Sequence, residues 1–135
     1  MYISDKVRMA VAERANFQCE YYRIYESNSF YTFQVEHIIS RKHGGNSDLD
    51  NLAYAYPSCN RLKGSDLGSI LLPDEQFFRF FNPRKNEWLD NFEVHNSGSL
   101  YAKTSEAAIT IKIFKLNHPD TVIERKLLIE MQRFP

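Results

Sequence analysis

Two adjacent residues, Glu36 and His37, carry the functional groups that phosphodiester hydrolysis requires. The reaction needs a base that takes a proton from the nucleophile, and positive charge beside the phosphate oxygens. A neutral imidazole is a suitable base near pH 7, and a carboxylate is a suitable ligand for a hard divalent cation. Because neighbouring side chains on a strand point to opposite sides, the two residues can divide these tasks. An arbitrary Glu-His pair is more often a surface charge beside a half-buried histidine, so the rest of the pattern must decide.

Further residues with suitable chemistry follow along the chain. The amide oxygen of Asn60 can supply a second, neutral ligand to a metal held by Glu36, although Asn is equally typical of a helix cap. Five basic side chains can contact phosphates, three in a loop and two in a short helix: Arg41, Lys42, His43, Arg61 and Lys63. Exposed cations are usually only solvated, so each of these five assignments competes with a plain surface role.

The composition limits the partners of this chain. Its 135 residues include 17 Lys+Arg and 17 Asp+Glu, which gives a formal net charge of zero and excludes a broad basic surface. No apolar run approaches the roughly 18–20 residues of a membrane-spanning helix, and the charged first ten residues do not resemble a signal peptide. We therefore expect a cytoplasmic protein that does not enter a membrane, and only modest affinity for any nucleic acid.

Hydrophobic periodicity and turn residues predict the elements that position these side chains. In the first half they predict a helix over about 5–15, a strand over 31–39 that ends near His37, a strand over 52–56 and a helix over about 58–66. In the second half they predict a hairpin over 92–103 and helices over 107–116 and from 119 to about 133. The fold class that follows is α+β, as one domain over 1–135 with a core motif at 17–66 and a C-terminal extension at 67–135.

Five segments resemble, in order and spacing, the motif of the HNH endonucleases, the ββα-metal (His-Me) finger of homing, restriction and colicin-type nucleases. They are Cys19-Glu20-Tyr21-Tyr22, Val35-Glu36-His37-Ile38-Ile39, Gly44-Gly45, Asn51-Leu52 and Cys59-Asn60-Arg61-Leu62-Lys63-Gly64. The second half is similar, more weakly, to the C-terminal extension of short bacterial HNH proteins.

The resemblance implies roles for individual residues. Glu36 and Asn60 would be the metal ligands and His37 the general base, while Asn51 would complete the catalytic set by ordering the loop between the strands. The ion would be Mg²⁺, replaceable by Mn²⁺ or Ni²⁺ in vitro, and the substrate DNA, cut to leave a 5′-phosphate and a 3′-hydroxyl. The rival interpretation is an inactive HNH-like module that binds DNA or a protein partner.

The chain departs from the family pattern at the zinc knuckles. Many relatives carry two Cys-x-x-Cys pairs that hold one structural zinc, whereas here each pair has lost one thiol to tyrosine, giving Cys19 with Tyr22 and Tyr56 with Cys59. Two thiolates do not complete a tetrahedral zinc site, and phenol is a poor zinc ligand. We therefore expect no structural zinc and a site filled by aromatic packing. A redox or metal-sensing role for the two cysteines is a third interpretation, but the chain has no Cys-x-x-Cys.

Overall fold

The computed structural model describes residues 3–135, so residues 1 and 2 of the predicted 1–135 domain lie outside the described residues. The chain divides into two compact units, Met1–Ser65 and Asp66–Pro135. Helices alternate with small antiparallel two-stranded sheets, which confirms the α+β class. In the part of the chain that the structure describes, no helix is both long and apolar enough to cross a membrane.

The first unit contains one helix followed by a strand–strand–helix arrangement. Its elements are α1 (Asp5–Arg14), β1 (Gln34–His37), β2 (Leu52–Ala55) and α2 (Pro57–Lys63). Strands β1 and β2 pair antiparallel, with Glu36 opposite Ala53 and His37 opposite Leu52. The strand–strand–helix order of these elements is the predicted ββα order. Strand β1 is shorter than the predicted strand, because residues 31–33 precede its pairing with β2.

Helix α1 is tied to the β1–β2 hairpin near its C-terminal end. It begins after Ser4, whose Oγ accepts a hydrogen bond from the Val7 amide at 3.2 Å and so caps the first turn. The guanidinium group of Arg14 donates to the carbonyl oxygens of Leu49 and Leu52, at 2.7 and 2.6 Å. These two hydrogen bonds fix the start of β2, and therefore the strand that faces Glu36 and His37.

The loop between β1 and β2 is ordered by one asparagine and two glycines. The Asn51 amide group donates to the carbonyl oxygens of Ile39 and Asn46, at 2.9 and 2.7 Å, and its Oδ1 accepts from the Ile39 amide at 2.9 Å. Gly44 adopts a φ of 87°, which favours glycine. A Cβ atom on Gly45 would lie 1.7 Å from the Ile39 carbonyl oxygen and 2.9 Å from the Asn51 amide nitrogen, so no side chain fits there.

The second unit contains two hairpins and three helices. Its elements are β3 (Gly68–Leu71), β4 (Gln76–Arg79), α3 (Trp88–Asn91), β5 (Phe92–Val94), β6 (Leu100–Ala102), α4 (Ser105–Ile113) and α5 (Pro119–Glu130). The β5–β6 hairpin and the two long helices were expected, although both helices end about three residues earlier than predicted. The β3–β4 hairpin and the one-turn helix α3 were not predicted from the sequence.

Aromatic rings and one buried cation form the interior of the second unit. Trp88 stacks on Phe92 with a centroid separation of 4.7 Å, and Phe92 also contacts Phe81 edge to face at 5.4 Å. The fully buried Arg125 donates to the carbonyl oxygens of Gly98 and, at 2.7 Å, Leu116. The cation of α5 therefore fixes two loops rather than facing solvent.

Candidate active site

Strand β1 presents its last two side chains to opposite faces. Glu36 is buried, with 3% of its surface exposed, whereas His37 is only half-buried. The alternation of a strand accounts for this difference, since consecutive side chains leave opposite sides of the backbone. The interior face of β1 therefore carries the carboxylate, and the solvent face carries the imidazole.

Glu36 belongs to a buried polar cluster with Tyr21 and Lys63. The Tyr21 hydroxyl donates a hydrogen bond to Oε1 of Glu36, and the Lys63 ammonium lies 3.1 Å from Oε2. Lys63 also donates to the carbonyl oxygen of His37 at 3.0 Å, so it ties α2 to the end of β1. Burial raises the pKa of the Glu36 carboxyl, and the Lys63 charge opposes this effect. Burial together with the adjacent carboxylate raises the pKa of Tyr21 well above its usual value.

His37 is held by a serine from the loop between the strands. Its Nε2 lies 2.8 Å from the Ser47 Oγ, while Nδ1 has no hydrogen-bond partner among the described residues. Partial burial lowers the pKa of the His37 imidazole, and the nearby cations Arg41 and Lys63 lower it further. The ring is therefore neutral at pH 7, which is the form that can accept a proton.

Asn60 lies on α2, the helix that crosses β1. Its amide nitrogen donates to Oε1 of Gln34 at 2.7 Å, which leaves Oδ1 without a hydrogen-bond partner among the described residues. Among the residues that the structure describes, no three His, Cys, Asp or Glu side chains form a group that could hold a metal ion. A divalent ion at this site would consequently depend on few protein ligands, with water or phosphate oxygens completing its shell.

Comparison with protein families identifies the segment that contains this arrangement. Residues 19–66 match the family model of the HNH endonucleases. This segment, about a third of the chain, is an HNH domain, and its recognition from the sequence is confirmed. The match to this family supports a general class of activity, that of a nuclease acting on nucleic acid. No curated protein matches the chain.

The basic side chains predicted to contact DNA separate into two groups. Arg41, Lys42 and His43 form an exposed helical turn after β1, and Arg61 is exposed on α2. Lys63 is different, because only 2% of its side chain is exposed and its ammonium is bound to Glu36 and to the backbone. A buried, paired ammonium does not reach a phosphate in this conformation, so we correct the assignment of Lys63 from a DNA contact to a member of the Glu36 cluster.

The region of the former zinc knuckles is filled by sulfur and aromatic groups. Cys19 and Cys59 are buried and form no disulfide, and the rings of Tyr22 and Tyr56 meet edge to face at 5.9 Å. The Tyr22 amide donates to the Cys19 sulfur at 3.3 Å. Burial would raise the pKa of the Cys19 thiol, but the hydrogen bonds from Cys59 and from backbone amides outweigh it and lower that pKa.

Sequence reasoning missed three residues that support the HNH site: Tyr21, Gln34 and Ser47. Each contacts one of the candidate catalytic side chains through a hydrogen bond. A signal existed for Gln34 alone, since residues two apart on a strand share a face, which places Gln34 beside Glu36. Nothing in the local pattern around Tyr21 or Ser47 indicates that they approach β1 from 15 and 10 residues away along the chain.

Proposed function

We propose that this chain is a metal-dependent endonuclease that hydrolyses DNA phosphodiester bonds with His37 as general base. The observation that carries the proposal is the placement of a neutral, half-buried imidazole at the end of β1 inside the HNH domain. In the tautomer that suits a base, Nε2–H donates to Ser47 and the bare Nδ1 takes the proton from the attacking water. Ser47 thereby selects which nitrogen accepts the proton.

The residues present are compatible with a hard divalent ion such as Mg²⁺. Glu36 and Asn60 would hold it, since a carboxylate and an amide oxygen are hard ligands and Mg²⁺ is usually bound by only one or two carboxylates with waters and phosphates. Each Glu36 oxygen uses one of its two lone pairs on Tyr21 or Lys63, and Oδ1 of Asn60 accepts no hydrogen bond from any residue that the structure describes. When bound, the ion would supply positive charge to the phosphate and the leaving oxygen.

The exposed basic side chains would add the remaining attraction for the substrate. Arg41, Lys42, His43 and Arg61 face solvent on the HNH domain, and the chain as a whole carries no net charge. Few phosphate contacts give a shallow dependence of affinity on salt concentration, so we propose that these side chains add only weak attraction for DNA.

One observation favours the second candidate, an inactive HNH-like binding module. The Lys63 ammonium already compensates the charge of Glu36, and any divalent ion must compete with it for the carboxylate. A module in which this ion pair is permanent would keep the fold and its basic surface without hydrolysis.

Plasmid nicking separates the two candidates. Wild-type protein should nick supercoiled plasmid with Mg²⁺, Mn²⁺ or Ni²⁺, and His37→Ala should reduce the rate about 10²–10⁴-fold, the usual contribution of a general base. His95→Ala is the matched control, because that imidazole lies in the second unit, stacked on Tyr101 at 3.8 Å. Equal rates for wild type and His37→Ala would remove His37 from the mechanism. No nicking by wild type with any of the three ions would favour the binding module.

Calorimetry with Mn²⁺ tests the ligands independently of turnover. Asn60→Ala should weaken Mn²⁺ binding, because it removes one of only two protein ligands. Gln34→Ala is the matched control, since it removes the hydrogen-bond partner of the Asn60 amide but no metal ligand. Unchanged Mn²⁺ binding in Asn60→Ala would show that the proposed ligand pair is wrong.

A further inference from the structure

The second unit contains a concave site beside strand β4 that the proposed nuclease chemistry does not use. The cavity has a volume of about 440 Å³ and is lined by phenylalanines, asparagines, two cations and one carboxylate. This volume lies in the range of small-ligand sites, roughly 300–1,000 Å³. The mixture of aromatic and polar groups in the lining indicates what chemistry the site selects.

Phe77 supplies an exposed aromatic face at this site. Phe77 is 56% exposed, so its ring is accessible from solvent. The ring lies across Gly68 on the paired strand, since a Cβ atom there would be 2.8 Å from the ring carbon Cζ. Phe80 also lines the cavity and is buried, edge to face with Phe114 at 5.0 Å. The site therefore combines one buried aromatic ring with one accessible ring.

The two asparagines offer hydrogen-bond donors. Oδ1 of Asn82 accepts from the Arg84 amide at 2.9 Å, and Oδ1 of Asn86 accepts from the Asn82 amide at 3.0 Å. Their carbonyl oxygens are thus occupied by backbone groups, whereas their amide nitrogens have no hydrogen-bond partner among the described residues. An acceptor-rich ligand is the complement of such a site.

The charged groups of the lining favour an anion. Arg79 and Lys85 contribute two cations against the single carboxylate of Glu106, and none of the three side chains forms an ion pair within the described residues. Arginine and lysine are the side chains that bind phosphate oxygens in nucleic acids. The acceptor-rich anion that the donors and cations fit is therefore a phosphate group.

We propose that this cavity binds an unpaired nucleotide of a nucleic-acid strand, with the base against Phe77 and the phosphate beside Arg79 and Lys85. An exposed aromatic ring stacks on a base only where the face of that base is accessible, which is the case in single strands and not inside a duplex. The proposal rests on the proposed function for its choice of a nucleic-acid ligand, and it assigns to the second unit the binding of a strand that the HNH domain cuts.

Fluorescence anisotropy with a labelled 12-nucleotide single strand tests the aromatic contact. The full-length chain carrying His37→Ala is used, so that cleavage does not interfere. Phe77→Ala should weaken binding about 5- to 100-fold, the effect of losing one base–aromatic stack. Tyr101→Ala is the matched control, because Tyr101 is 54% exposed on the other hairpin of the same unit, and it should leave the affinity unchanged. Equal losses, or no loss, would overturn the proposal.

The salt dependence of binding and a comparison of ligands identify what the cavity binds. Arg79→Gln/Lys85→Gln should reduce the slope of log K against log salt concentration by about 0.7, the value for one phosphate of a single strand, whereas Lys115→Gln/Lys126→Gln should not. A duplex of the same sequence should bind more weakly than the single strand and show no effect of Phe77→Ala. Competition by a free mononucleotide at the concentration of the oligonucleotide would show a small-molecule site and would overturn the assignment to a strand.

The outcomes for the two proposals are distinguishable. Plasmid nicking by wild type combined with no effect of Phe77→Ala on single-strand binding would reject the cavity and retain the nuclease. Binding that depends on Phe77 in a protein that never nicks plasmid would retain the cavity and reject the nuclease. The circular dichroism spectrum of Phe77→Ala should match that of wild type, because removing an exposed side chain should leave the fold unchanged.

Discussion

Removing Lys63 alone should destabilise the first unit strongly, because it leaves the Glu36 carboxylate buried with only the Tyr21 hydroxyl as partner. Both members of the ion pair are 2% exposed, so water cannot replace the lost charge. Breaking a buried pair on one side typically costs about 3–5 kcal/mol. If the carboxyl escapes this penalty by binding a proton, the cost becomes the free energy of protonation, which grows by about 1.4 kcal/mol for each pH unit above the unfolded pKa.

Proton binding by Glu36 makes the destabilisation of Lys63→Met depend on pH. In Lys63→Met the pKa of Glu36 lies above the unfolded value of 4.5, so the folded state binds the proton more tightly and stability is lost as the pH rises. The destabilisation relative to wild type should therefore be largest at pH 7 and should shrink as the pH falls toward 5. Glu36→Gln/Lys63→Met should be more stable than Lys63→Met at pH 7, because no uncompensated charge remains.

Urea unfolding followed by far-ultraviolet circular dichroism measures these differences, with hydrogen exchange to assign them to the first unit. Tryptophan fluorescence is unsuitable, since the single tryptophan, Trp88, lies in the second unit. Lys42→Met is the control, because Lys42 is exposed in the same unit and should change stability by under about 0.5 kcal/mol. If Lys63→Met does not fold at pH 7, its refolding at pH 5 makes the same test. A loss below about 1 kcal/mol that does not vary with pH would refute the reasoning about burial.

Three other predictions concern the surroundings of the site. Ser47→Ala should slow nicking about 5- to 10-fold, the worth of one hydrogen bond of about 1 kcal/mol to His37, and Ser47→Thr should restore the rate; a mutant as fast as wild type would exclude Ser47 as a positioning residue. Tyr22→Ala should cost about 3–5 kcal/mol in urea unfolding because its ring is buried, while Tyr31→Ala, at a ring 60% exposed, should cost far less. Elemental analysis should find no stoichiometric zinc, and one equivalent bound through the two cysteines would contradict this expectation.

The sequence predicted well those elements that have clear punctuation. Helix α5 begins at Pro119, and the β5–β6 hairpin turns at residues 95–99, where Asn, Ser and Gly are concentrated. Residue type alone accounts for both, since Pro suits the first helical turn and small polar residues suit turns. The HNH elements were found for the same reason, because a β-branched and aromatic run is followed by a Gly- and Asp-rich loop.

The β3–β4 hairpin could not be predicted because neither its strands nor its turn has the usual sequence pattern. Its apolar residues do not alternate with polar ones, and Ile70 and Phe77 are exposed although they face each other across the hairpin. The connecting turn contains Glu75 at a φ of 58°, a conformation that Glu seldom adopts and that normally reveals itself through Gly or Asn.

Lys63 shows why the electrostatics of the site were harder to predict than its fold. An exposed phosphate-binding lysine and a buried structural lysine have the same side chain, and both are expected next to Arg61 on a short basic helix. The difference arises because α2 packs against β1 and brings position 63 against the buried face that carries Glu36. The strand alternation that places Glu36 inside was readable from the sequence, and a buried carboxylate requires a partner. In the HNH domain, a cation on an element next to Glu36 should therefore be assigned first as the partner of this carboxylate, and only then as a DNA contact.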